Sequence, residues 1–290
     1  MKKVLTVLFV IALLSGCSSS NHYSYPSEGD TVLFSGPNNV TYTKNDLYKS
    51  LKVAAKDAIS SDILDNIALE LDGIDMEAIE ADADELIETY KSLGYEAYII
   101  SSYGSVEAYR KSYVSSMLLS ELSKEYVRQN YDTLSVDKKP VKMQVASFAN
   151  MEDAQKCIDD TKIGSTFDMA AVNNNAASAP VSNVYTDDDS SLAFEVKEYL
   201  NSSDATGLSG IITSTATTQG ADGNTVETNT YYVLNVESRD PNEFKEDFIS
   251  LLAATTSTDT VKEHFLSTHD IKFFDQDLYE LMSSEYEALK

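Results

Sequence analysis

Few residues in this chain have the type and spacing needed for chemistry. Its 290 residues include two cysteines, three histidines and no tryptophan. Cys157 shares one face of a predicted helix with Ala154 and Ile158, and no histidine lies near it in sequence to activate the thiol. The pattern therefore predicts a packed cysteine and not a nucleophile.

A run of three acids, Asp187 to Asp189, is the other local cluster. A calcium-binding loop needs alternating oxygen ligands and a glycine, which this run lacks, so it predicts a solvated charged segment. The patterns of a phosphate loop, a zinc site, a Ser/His/Asp triad and a dinucleotide-binding loop are also missing from the sequence. We therefore expect neither a metal nor a cofactor.

The N-terminal sequence predicts a covalent lipid. Lys2 and Lys3 precede an apolar run, residues 4–14, and Leu14-Ser-Gly-Cys17 follows at its end. The run is shorter than the roughly 20 residues that span a bilayer, and it is typical of a signal peptide. The last four residues resemble the bacterial lipobox, which implies a Cys17 modified by acyl chains such as palmitate. The alternative is an ordinary secretory signal followed by an unrelated cysteine.

The charge of the chain is strongly negative, with 22 basic residues against 47 acidic ones and a formal net charge of −25. Loss of Lys2 and Lys3 with the signal peptide leaves 20 basic residues against 47, a charge of −27. Such a surface repels phosphates and anionic headgroups, which argues against nucleic acid as a partner and for membrane attachment through lipid alone. The acidity either attracts cationic unfolded polypeptides or serves only solubility.

Hydrophobic periodicity predicts a mainly helical α+β fold with an inserted β-containing module. Val141, Met143 and Val145 alternate with polar residues, and residues 230–236 form a second β-type run, so each predicts a strand. Apolar residues at helical spacing dominate on both sides. The predicted divisions are a signal peptide at 1–16, a lipidated tether at 17–30, an N-terminal helical arm at 31–138, the module at 139–238, and C-terminal helices at 239–290 that pack back on the N-terminal arm.

Start and stop signals predict several local elements. Thr43 and Asp46 form a capping-box pattern that starts a helix, and a second short helix is expected to follow and to end at Gly73. Residues 270–274 are typical of a short strand, and Asp275 then starts a terminal helix.

A helix after Gly104 has an unusually wide apolar face. Apolar stripes at this spacing usually mark a helix of the core. The alternative is that some of its tyrosines and its methionines are exposed and hold apolar segments of other polypeptides. The face consists of Val106, Tyr109, Tyr113, Met117, Leu118, Leu122 and Tyr126.

The order of these elements resembles that of a bacterial protein family. The stretches that carry the resemblance are residues 43–48, 103–109, 152–170, 230–236 and 270–279. With the lipobox, they resemble the PrsA-like parvulin-type foldase lipoproteins of Gram-positive bacteria, and more distantly the periplasmic chaperone SurA and the helical arms of trigger factor. The stretches are short but are spread over almost the whole chain after the signal peptide.

The resemblance implies an extracytoplasmic, lipid-anchored foldase or chaperone on the cell membrane of a Gram-positive-type bacterium. Its partners would be unfolded or partly folded exported proteins, which the helical arms cradle, and the membrane itself through the lipid. The parvulin module of such proteins catalyses prolyl cis/trans isomerisation, which has a barrier of about 18 to 20 kcal/mol. An isomerase lowers that barrier by binding the twisted amide more tightly than either planar form.

The sequence departs from the parvulin pattern where catalysis is expected. Parvulins usually have a histidine on the first strand, a second on the last strand and a Gly-rich turn between them, and that turn is missing here. The first histidine position falls at or next to Val145 and Tyr232 occupies the second, whereas His22, His264 and His269 all lie outside the module. We therefore assign no catalytic residue, and peptidyl-prolyl isomerase activity is left open.

The leading hypothesis is a chaperone with a degenerate parvulin-like module and weak or no isomerase activity. Met143, Phe167, Met169 and Tyr232 are the candidate lining of a pocket for client segments. The alternatives are a non-catalytic docking or assembly subunit on the same scaffold, and an active isomerase that has lost the usual histidines.

Overall fold

The computed structural model describes residues 31–35, 41–219 and 225–290. Cys17 and His22, and with them the predicted signal peptide and tether, lie outside the described residues. Over the ranges that are described, no helix has both the length and the apolar character needed to cross a bilayer.

The fold is α+β and mainly helical, as the periodicity predicts. In chain order the elements are β1 (Val32–Ser35), β2 (Thr41–Thr43), α1 (Lys44–Ala68), α2 (Met76–Ser92), α3 (Glu96–Tyr103), α4 (Val106–Gln129), α5 (Tyr131–Lys138), β3 (Val141–Phe148), α6 (Met151–Lys162), α7 (Phe167–Asn173), β4 (Asn183–Tyr185), α8 (Phe194–Ser202), β5 (Gly207–Leu208), β6 (Ile212–Gln219), β7 (Thr225–Ser238), a 3₁₀ turn (Pro241–Phe244), α9 (Lys245–Thr255), α10 (Thr258–Thr268), α11 (Gln276–Glu285) and a second 3₁₀ turn (Glu287–Leu289).

Two compact units make up the described chain. The helical unit contains the residues up to Leu119 together with Asp259–Lys290, and the sheet unit contains Ser120–Thr258. The sheet unit is longer at both ends than the predicted module of residues 139–238. The boundary at Leu119 falls within α4, so this helix contributes residues to both units.

An apolar cluster explains why the sheet unit extends beyond the predicted module. Val127 and Tyr131 precede the module, Phe248 follows it, and all three are buried in one cluster. The rings of Tyr131 and Phe248 meet edge to face, with centroids 6.0 Å apart. Because these side chains are buried in that cluster, residues 120–138 and 239–258 belong to the sheet unit, whereas periodicity alone assigned them to the helical arms.

Helix α1 is continuous where the sequence predicts two helices. Thr43 caps it: the Asp46 backbone N–H donates to the Thr43 hydroxyl at 3.3 Å, and the Thr43 N–H donates to the Asp46 carboxylate at 2.8 Å. The capping box is therefore confirmed. The predicted break is wrong, because Lys44–Ala68 contains no glycine or proline and the Ser60 hydroxyl donates to the Asp57 carbonyl at 3.0 Å within the helix.

Helix α11 lies against α1 through a largely buried ionic cluster. The Lys52 ammonium, whose side chain is 7% exposed, donates to Asp275 at 2.9 Å and to Asp277 at 3.0 Å. The Tyr48 hydroxyl also donates to Asp275, at 3.1 Å. Asp275 in turn caps α11 by accepting a hydrogen bond from the Leu278 backbone N–H at 2.8 Å. These contacts hold α11 to α1.

Residues 270–274, predicted as a strand, are irregular. Alternating apolar residues form a stable strand only beside a hydrogen-bonding neighbour. No strand in the described ranges pairs with this segment, and Phe274 is 77% exposed. The predicted strand is therefore wrong.

The sheet unit is organised around β3 and β7. Its strand order is β4-β3-β7-β5, with β6 paired to the other half of β7, and these pairings are antiparallel. Successive side chains of a strand point to opposite faces. Ala146 and Val233 pack on one face against α6 and α7, whereas Met143 and Leu234 pack on the other against α8. Both faces of the central strands are therefore buried.

The paired ends of β6 and β7 extend beyond this core. β3 pairs with β7 from Ser238 only as far as Tyr231, whereas β6 pairs with β7 down to Thr225. Residues 214–219 and 225–230 thus form a two-stranded segment, which we call the ribbon. β7 is longer than the predicted strand at residues 230–236 because of the ribbon.

Candidate functional site

The two central strands place the expected catalytic positions on one face of the sheet. In the antiparallel register Val145 lies opposite Leu234, and Ser147 lies opposite Tyr232. Val145 and Tyr232 are therefore diagonal neighbours, a separation across which long side chains reach each other. The structure brings together the two positions at which the resemblance to parvulins leads us to expect histidines, and a valine and a tyrosine occupy them.

This face offers little for acid–base chemistry. Val145 and Tyr232 are partly buried and pack, with Ile212, against the cluster that contains Met143 and Leu234. General acid–base catalysis near neutral pH is most often performed by histidine, and the sequence of the sheet unit contains none. The arrangement can hold an apolar group against the tyrosine ring and offer it a single hydroxyl.

Cys157 does not add a nucleophile to the sheet unit. Its side chain is fully buried on the opposite face of the sheet, in the cluster that contains Phe167 and Val233. Burial raises the pKa of the Cys157 thiol to about 11, so the thiol stays protonated at neutral pH. The prediction of a packed cysteine is confirmed.

The four candidate pocket residues do not lie together. Met143 is fully buried and shares its face of the sheet with Tyr232. Phe167 is 4% exposed and is buried on the opposite face, whereas Met169 is 58% exposed. Because the sheet separates Met143 from Phe167, these residues do not line a single cleft. Client binding by any of them stays a prediction.

A cleft of about 450 Å³ in the sheet unit has a mixed, charged lining that includes Lys139, Lys197 and Arg239 as well as two aspartates. The Arg239 guanidinium donates to the backbone carbonyls of Leu200 and Ala205 at 3.1 and 3.2 Å. Through these bonds Arg239, at the end of β7, contacts both α8 and the segment that follows α8. The lining is unlike the apolar pocket that would hold a prolyl side chain.

The acidic run after β4 is occupied by local hydrogen bonds. The Asp188 carboxylate accepts from the Lys138 ammonium at 2.6 Å and from the Thr186 hydroxyl at 2.7 Å. Asp189 accepts from the Ser191 backbone N–H at 2.8 Å. In the part of the chain that the structure describes, no group of three or more His, Cys, Asp or Glu side chains is placed to hold a metal ion.

An exposed aromatic surface lies on the helical unit between the end of α2 and the start of α4. We define the tyrosine surface as Leu93, Tyr95, Tyr98, Tyr103 and Tyr109. Tyr98 is 68% exposed, Leu93 62%, Tyr95 52% and Tyr103 46%. Single exposed apolar residues are common on proteins, but neighbouring ones of this size mark interaction surfaces.

Ring contacts give the tyrosine surface a fixed base. The ring centroids of Tyr103 and Tyr109 are 4.8 Å apart, and Tyr90 lies 6.0 Å from Tyr109 and 6.1 Å from Tyr95. Burial, and then the hydrogen bond with the Tyr90 hydroxyl, raises the pKa of Tyr109. The exposed rings of Tyr95 and Tyr103 thus contact the half-buried rings of Tyr90 and Tyr109, respectively.

Two glycines determine the path of the chain through the tyrosine surface. Gly94, after α2, has a φ of +80°, and Gly104, after α3, has a φ of +82°. Glycine adopts these values without the steric penalty that other residues incur. The eight-residue helix α3 therefore fits between two longer helices. Ser105 then caps α4 by accepting a hydrogen bond from the Ala108 backbone N–H at 3.0 Å.

The segment that contains the tyrosine surface is strongly acidic. Residues 76–110 contain eight carboxylates but only two cations, Lys91 and Arg110. Both cations are already paired: Lys91 lies 2.8 Å from Glu88, and Arg110 lies 2.7 Å from Asp84. The surplus of carboxylates makes this surface negative, so it favours neutral or cationic segments of a partner.

Sequence reasoning found the apolar face of α4 but not the turn in front of it. Leu118 and Leu122 are buried, as predicted for a core helix, whereas Tyr109 and Tyr113 are half-buried. The tyrosine surface had a signal in the sequence, namely four tyrosines within residues 90–103, interrupted by a glycine and followed by another. Periodicity within a helix cannot detect a surface formed around turns.

Comparison with known proteins gives structural likenesses. No protein-family model and no curated protein sequence matches the chain. Among solved structures, the chain is similar to foldase protein PrsA from Streptococcus pneumoniae, with 17% identity over 87% of this chain and 98% of that one and a TM-score of 0.42. It is also similar to peptidylprolyl isomerase PrsA from Bacillus cereus, with 14% identity over 89% of this chain and 98% of that one and a TM-score of 0.45. For PrsA from Bacillus subtilis the identity is 13% over 86% of this chain and 97% of that one, and the TM-score is 0.34.

The PrsA-like resemblance predicted from the sequence is thus also found in structure, over most of the chain. Because these TM-scores are below 0.5 and the identities are below 20%, the likeness by itself establishes neither catalysis nor client binding.

Proposed function

We propose that the protein is a lipid-anchored extracytoplasmic chaperone of the foldase type, which assists exported proteins and has weak or no prolyl isomerase activity. The observation that carries the proposal is the tyrosine surface, which exposes large apolar side chains on a negatively charged unit. Such a surface binds unfolded segments by burying apolar area, while the carboxylates of the same segment keep the complex soluble.

The exposed area of the tyrosine surface favours weak and reversible binding. Full burial of an apolar side chain contributes about 1.5 to 3 kcal/mol, so each half-exposed tyrosine contributes about 1 kcal/mol. Tyr95, Tyr98 and Tyr103 together supply about 3 kcal/mol, which is below even millimolar affinity. Weak affinity suits a chaperone, because a client has to dissociate in order to fold.

The test of client binding is suppression of aggregation of a denatured reporter protein. We expect the wild-type protein to protect the reporter, and a variant with Tyr95→Ser, Tyr98→Ser and Tyr103→Ser to need about a hundredfold more protein for equal protection. The matched control replaces Val53 and Val181, which are 65% and 64% exposed but lie elsewhere. No protection by the wild type would overturn the chaperone function, and an unimpaired triple variant would overturn the site.

The proposal of weak or no isomerase activity is supported by the sheet face at Val145 and Tyr232, where the groups are apolar or phenolic. In a prolyl-peptide isomerisation assay, we expect a rate close to that of the uncatalysed reaction. Robust turnover would contradict this part of the proposal. Robust turnover that survives Tyr232→Phe would show, in addition, that other groups perform the chemistry.

Attachment to the membrane through Cys17 is a further part of the proposal, supported by the lipobox-like sequence and by an acidity that disfavours anionic headgroups. We expect labelled palmitate to be incorporated in cells and Cys17→Ala to abolish both the label and the recovery of the protein with membranes. Membrane retention of the unlabelled variant would contradict a lipid anchor.

Co-purification from membranes separates chaperoning from a docking role. Many exported proteins in sub-stoichiometric amounts are expected for a chaperone. One stoichiometric partner would instead support the alternative, a non-catalytic docking or assembly subunit.

A further inference from the structure

Within the described ranges, one edge of the ribbon has no neighbouring strand. β3 ends at Phe148 and the chain then enters α6, so β3 does not continue beside β7 beyond Tyr231. Residues 225–229 are exposed, and no strand of the described ranges pairs with them except β6, on the other side.

The contacts of Leu234 show which backbone groups of β7 point outwards. The Leu234 N–H donates to the Ser209 hydroxyl oxygen, and the Leu234 carbonyl accepts from the Ser209 N–H, each at 2.8 Å. Ser209 follows β5, which lies on the side of β7 opposite β3. Because this direction alternates along a strand, Val226 and Thr228 face β6, whereas Thr225, Glu227 and Asn229 direct their N–H and C=O groups to the open side, where β3 lies further along β7.

The protein covers one edge of the ribbon and leaves the other open. On the β6 edge, α8 lies beside β6 and carries Glu195, whose pKa is lowered chiefly by a hydrogen bond with the Ser214 side chain. A hydrogen-bonded charge at this place opposes the addition of another strand. The β7 edge at residues 225–229 has one charged residue, Glu227, and contains no lysine and no proline. Natural proteins use such residues to prevent edge-to-edge pairing.

The chemistry of this edge selects its partner. A row of outward N–H and C=O groups at strand spacing is satisfied by another extended backbone, largely irrespective of its side chains. A second copy of this chain is disfavoured, because two molecules with a formal charge of −25 repel each other. An unfolded polypeptide that is neutral or cationic has a free backbone and no such repulsion.

We propose that residues 225–229 of β7 bind an extended segment of a client polypeptide as an added β-strand. The inference rests on the proposed chaperone function and adds to it a second contact, through the backbone, that is largely independent of the sequence of the client. The tyrosine surface selects apolar side chains, whereas the open edge of β7 selects extended conformation.

Amide exchange of the full-length protein, resolved by residue in NMR spectra, tests the inference. The probe is reduced and alkylated lysozyme, which is unfolded and cationic. We expect it to slow exchange at Thr225, Glu227 and Asn229, and to leave Val226 and Thr228 unchanged, because their N–H groups already bond to β6. Unchanged exchange at the three outward amides would overturn the proposal.

A proline variant tests the same edge through affinity. Glu227→Pro removes one outward donor and spares the ladder with β6, a position at which strands tolerate proline. The matched control, Glu227→Gln, removes the charge but keeps the donor. We expect Glu227→Pro to weaken binding of the alkylated lysozyme about tenfold relative to Glu227→Gln.

Equal affinities of the two variants would overturn strand addition, and the chaperone function would stand if the wild type still suppresses aggregation. A concentration-dependent dimer in sedimentation experiments, lost in Glu227→Pro, would assign the edge to a second copy and would also overturn the proposal. If Glu227→Pro fails to fold, the exchange pattern of the wild-type protein alone decides.

Discussion

The two units hold their elements together by different interactions. In the sheet unit, both faces of the central strands are buried against apolar clusters, in which Met143 and Leu234 are fully excluded from solvent. The helical unit also buries apolar side chains, but ionic contacts link its helices: Lys52 joins α1 to Asp275, and Arg110 joins α4 to Asp84 of α2. The same molecule thus combines one unit held mainly by burial with another that depends partly on charge.

The tyrosines show what this difference means for function. Tyr232 lies on a packed sheet face and is partly buried with its apolar neighbours. Tyr98 lies on a short helix between two glycine turns and is 68% exposed. An exposed aromatic surface arises where the chain has few opportunities to pack, and in the described residues that place is the tyrosine surface and not the sheet face with Val145 and Tyr232.

The largest expected effect tests the role of burial in the sheet unit. Leu234→Ala removes a fully buried side chain, so we expect the free energy of unfolding of this unit to fall by about 2 to 5 kcal/mol. Hydrogen exchange of peptides from residues 139–238, measured across a urea series, gives the change. Val181→Ala, at a site 64% exposed, is the control and should stay within about 0.5 kcal/mol. Equal effects of the two substitutions would contradict a core at this face.

The next effect tests the ionic contacts of the helical unit. Lys52→Met keeps most of the side-chain volume but removes the ammonium group that lies 2.9 Å from the Asp275 carboxylate and 3.0 Å from that of Asp277, which are 19% and 26% exposed. We expect a loss of about 2 to 3 kcal/mol, measured by urea unfolding followed through peptides of α1 and α11. The control is Lys56→Met, because Lys56 pairs with Glu285, which is 46% exposed, and loss of such a solvent-exposed pair should destabilise the unit much less. An equal loss of unfolding free energy in Lys56→Met and Lys52→Met would show that burial of the ion pair does not determine its contribution.

Acid should weaken the helical unit through Asp275. Burial alone would raise the pKa of Asp275, but the Lys52 ammonium, the Leu278 N–H and the Tyr48 hydroxyl together hold it below its usual value of 3.8. The ionised carboxylate therefore stabilises the folded state above pH 3.8, and this contribution is lost as the pH falls below that value.

Methyl NMR signals of α11 should accordingly change at low pH in the wild type, and Asp275→Asn should abolish that dependence. The signals of Leu234 in the sheet unit are the internal control. If they changed at the same pH as those of α11, the acid response could not be assigned to Asp275.

The smallest effects compare two hydroxyl groups. Tyr109→Phe removes a hydroxyl from the half-buried base of the tyrosine surface, where the rings of Tyr90 and Tyr103 lie 6.0 and 4.8 Å from that of Tyr109, so we expect the helical unit to lose about 0.5 to 1.5 kcal/mol in urea unfolding. The Tyr232 hydroxyl has no hydrogen-bond partner in the ranges that the structure describes, so Tyr232→Phe should change the stability of the sheet unit by less than about 0.5 kcal/mol. A larger loss for Tyr232→Phe would indicate a polar contact at the sheet face.

Much of the fold could be predicted from local rules, but the arrangement of the candidate site could not. The capping box at Thr43 depends only on residues close in sequence, and it is present. Alternation showed that Met143 faces a core, but it does not reveal which face of a sheet a helix covers, and Phe167 proved to lie on the other face. The ribbon was missed because residues 225–230 are mostly polar and show no apolar alternation, although their β-branched side chains favour strands.

The separation of 223 residues between Lys52 and Asp275 has a consequence for the order in which the protein forms. A chain that emerges from a ribosome or a secretion channel with its N-terminus first presents α1 long before α11 exists. The sheet unit is complete once Thr258 has emerged, and domains generally fold as units during synthesis. The helical unit has to wait, with Lys52 solvated and α1 lacking one neighbour, until the final residues arrive. A truncation that removes α11 should therefore impair α1 more than the sheet unit, which lies between the two helices in sequence.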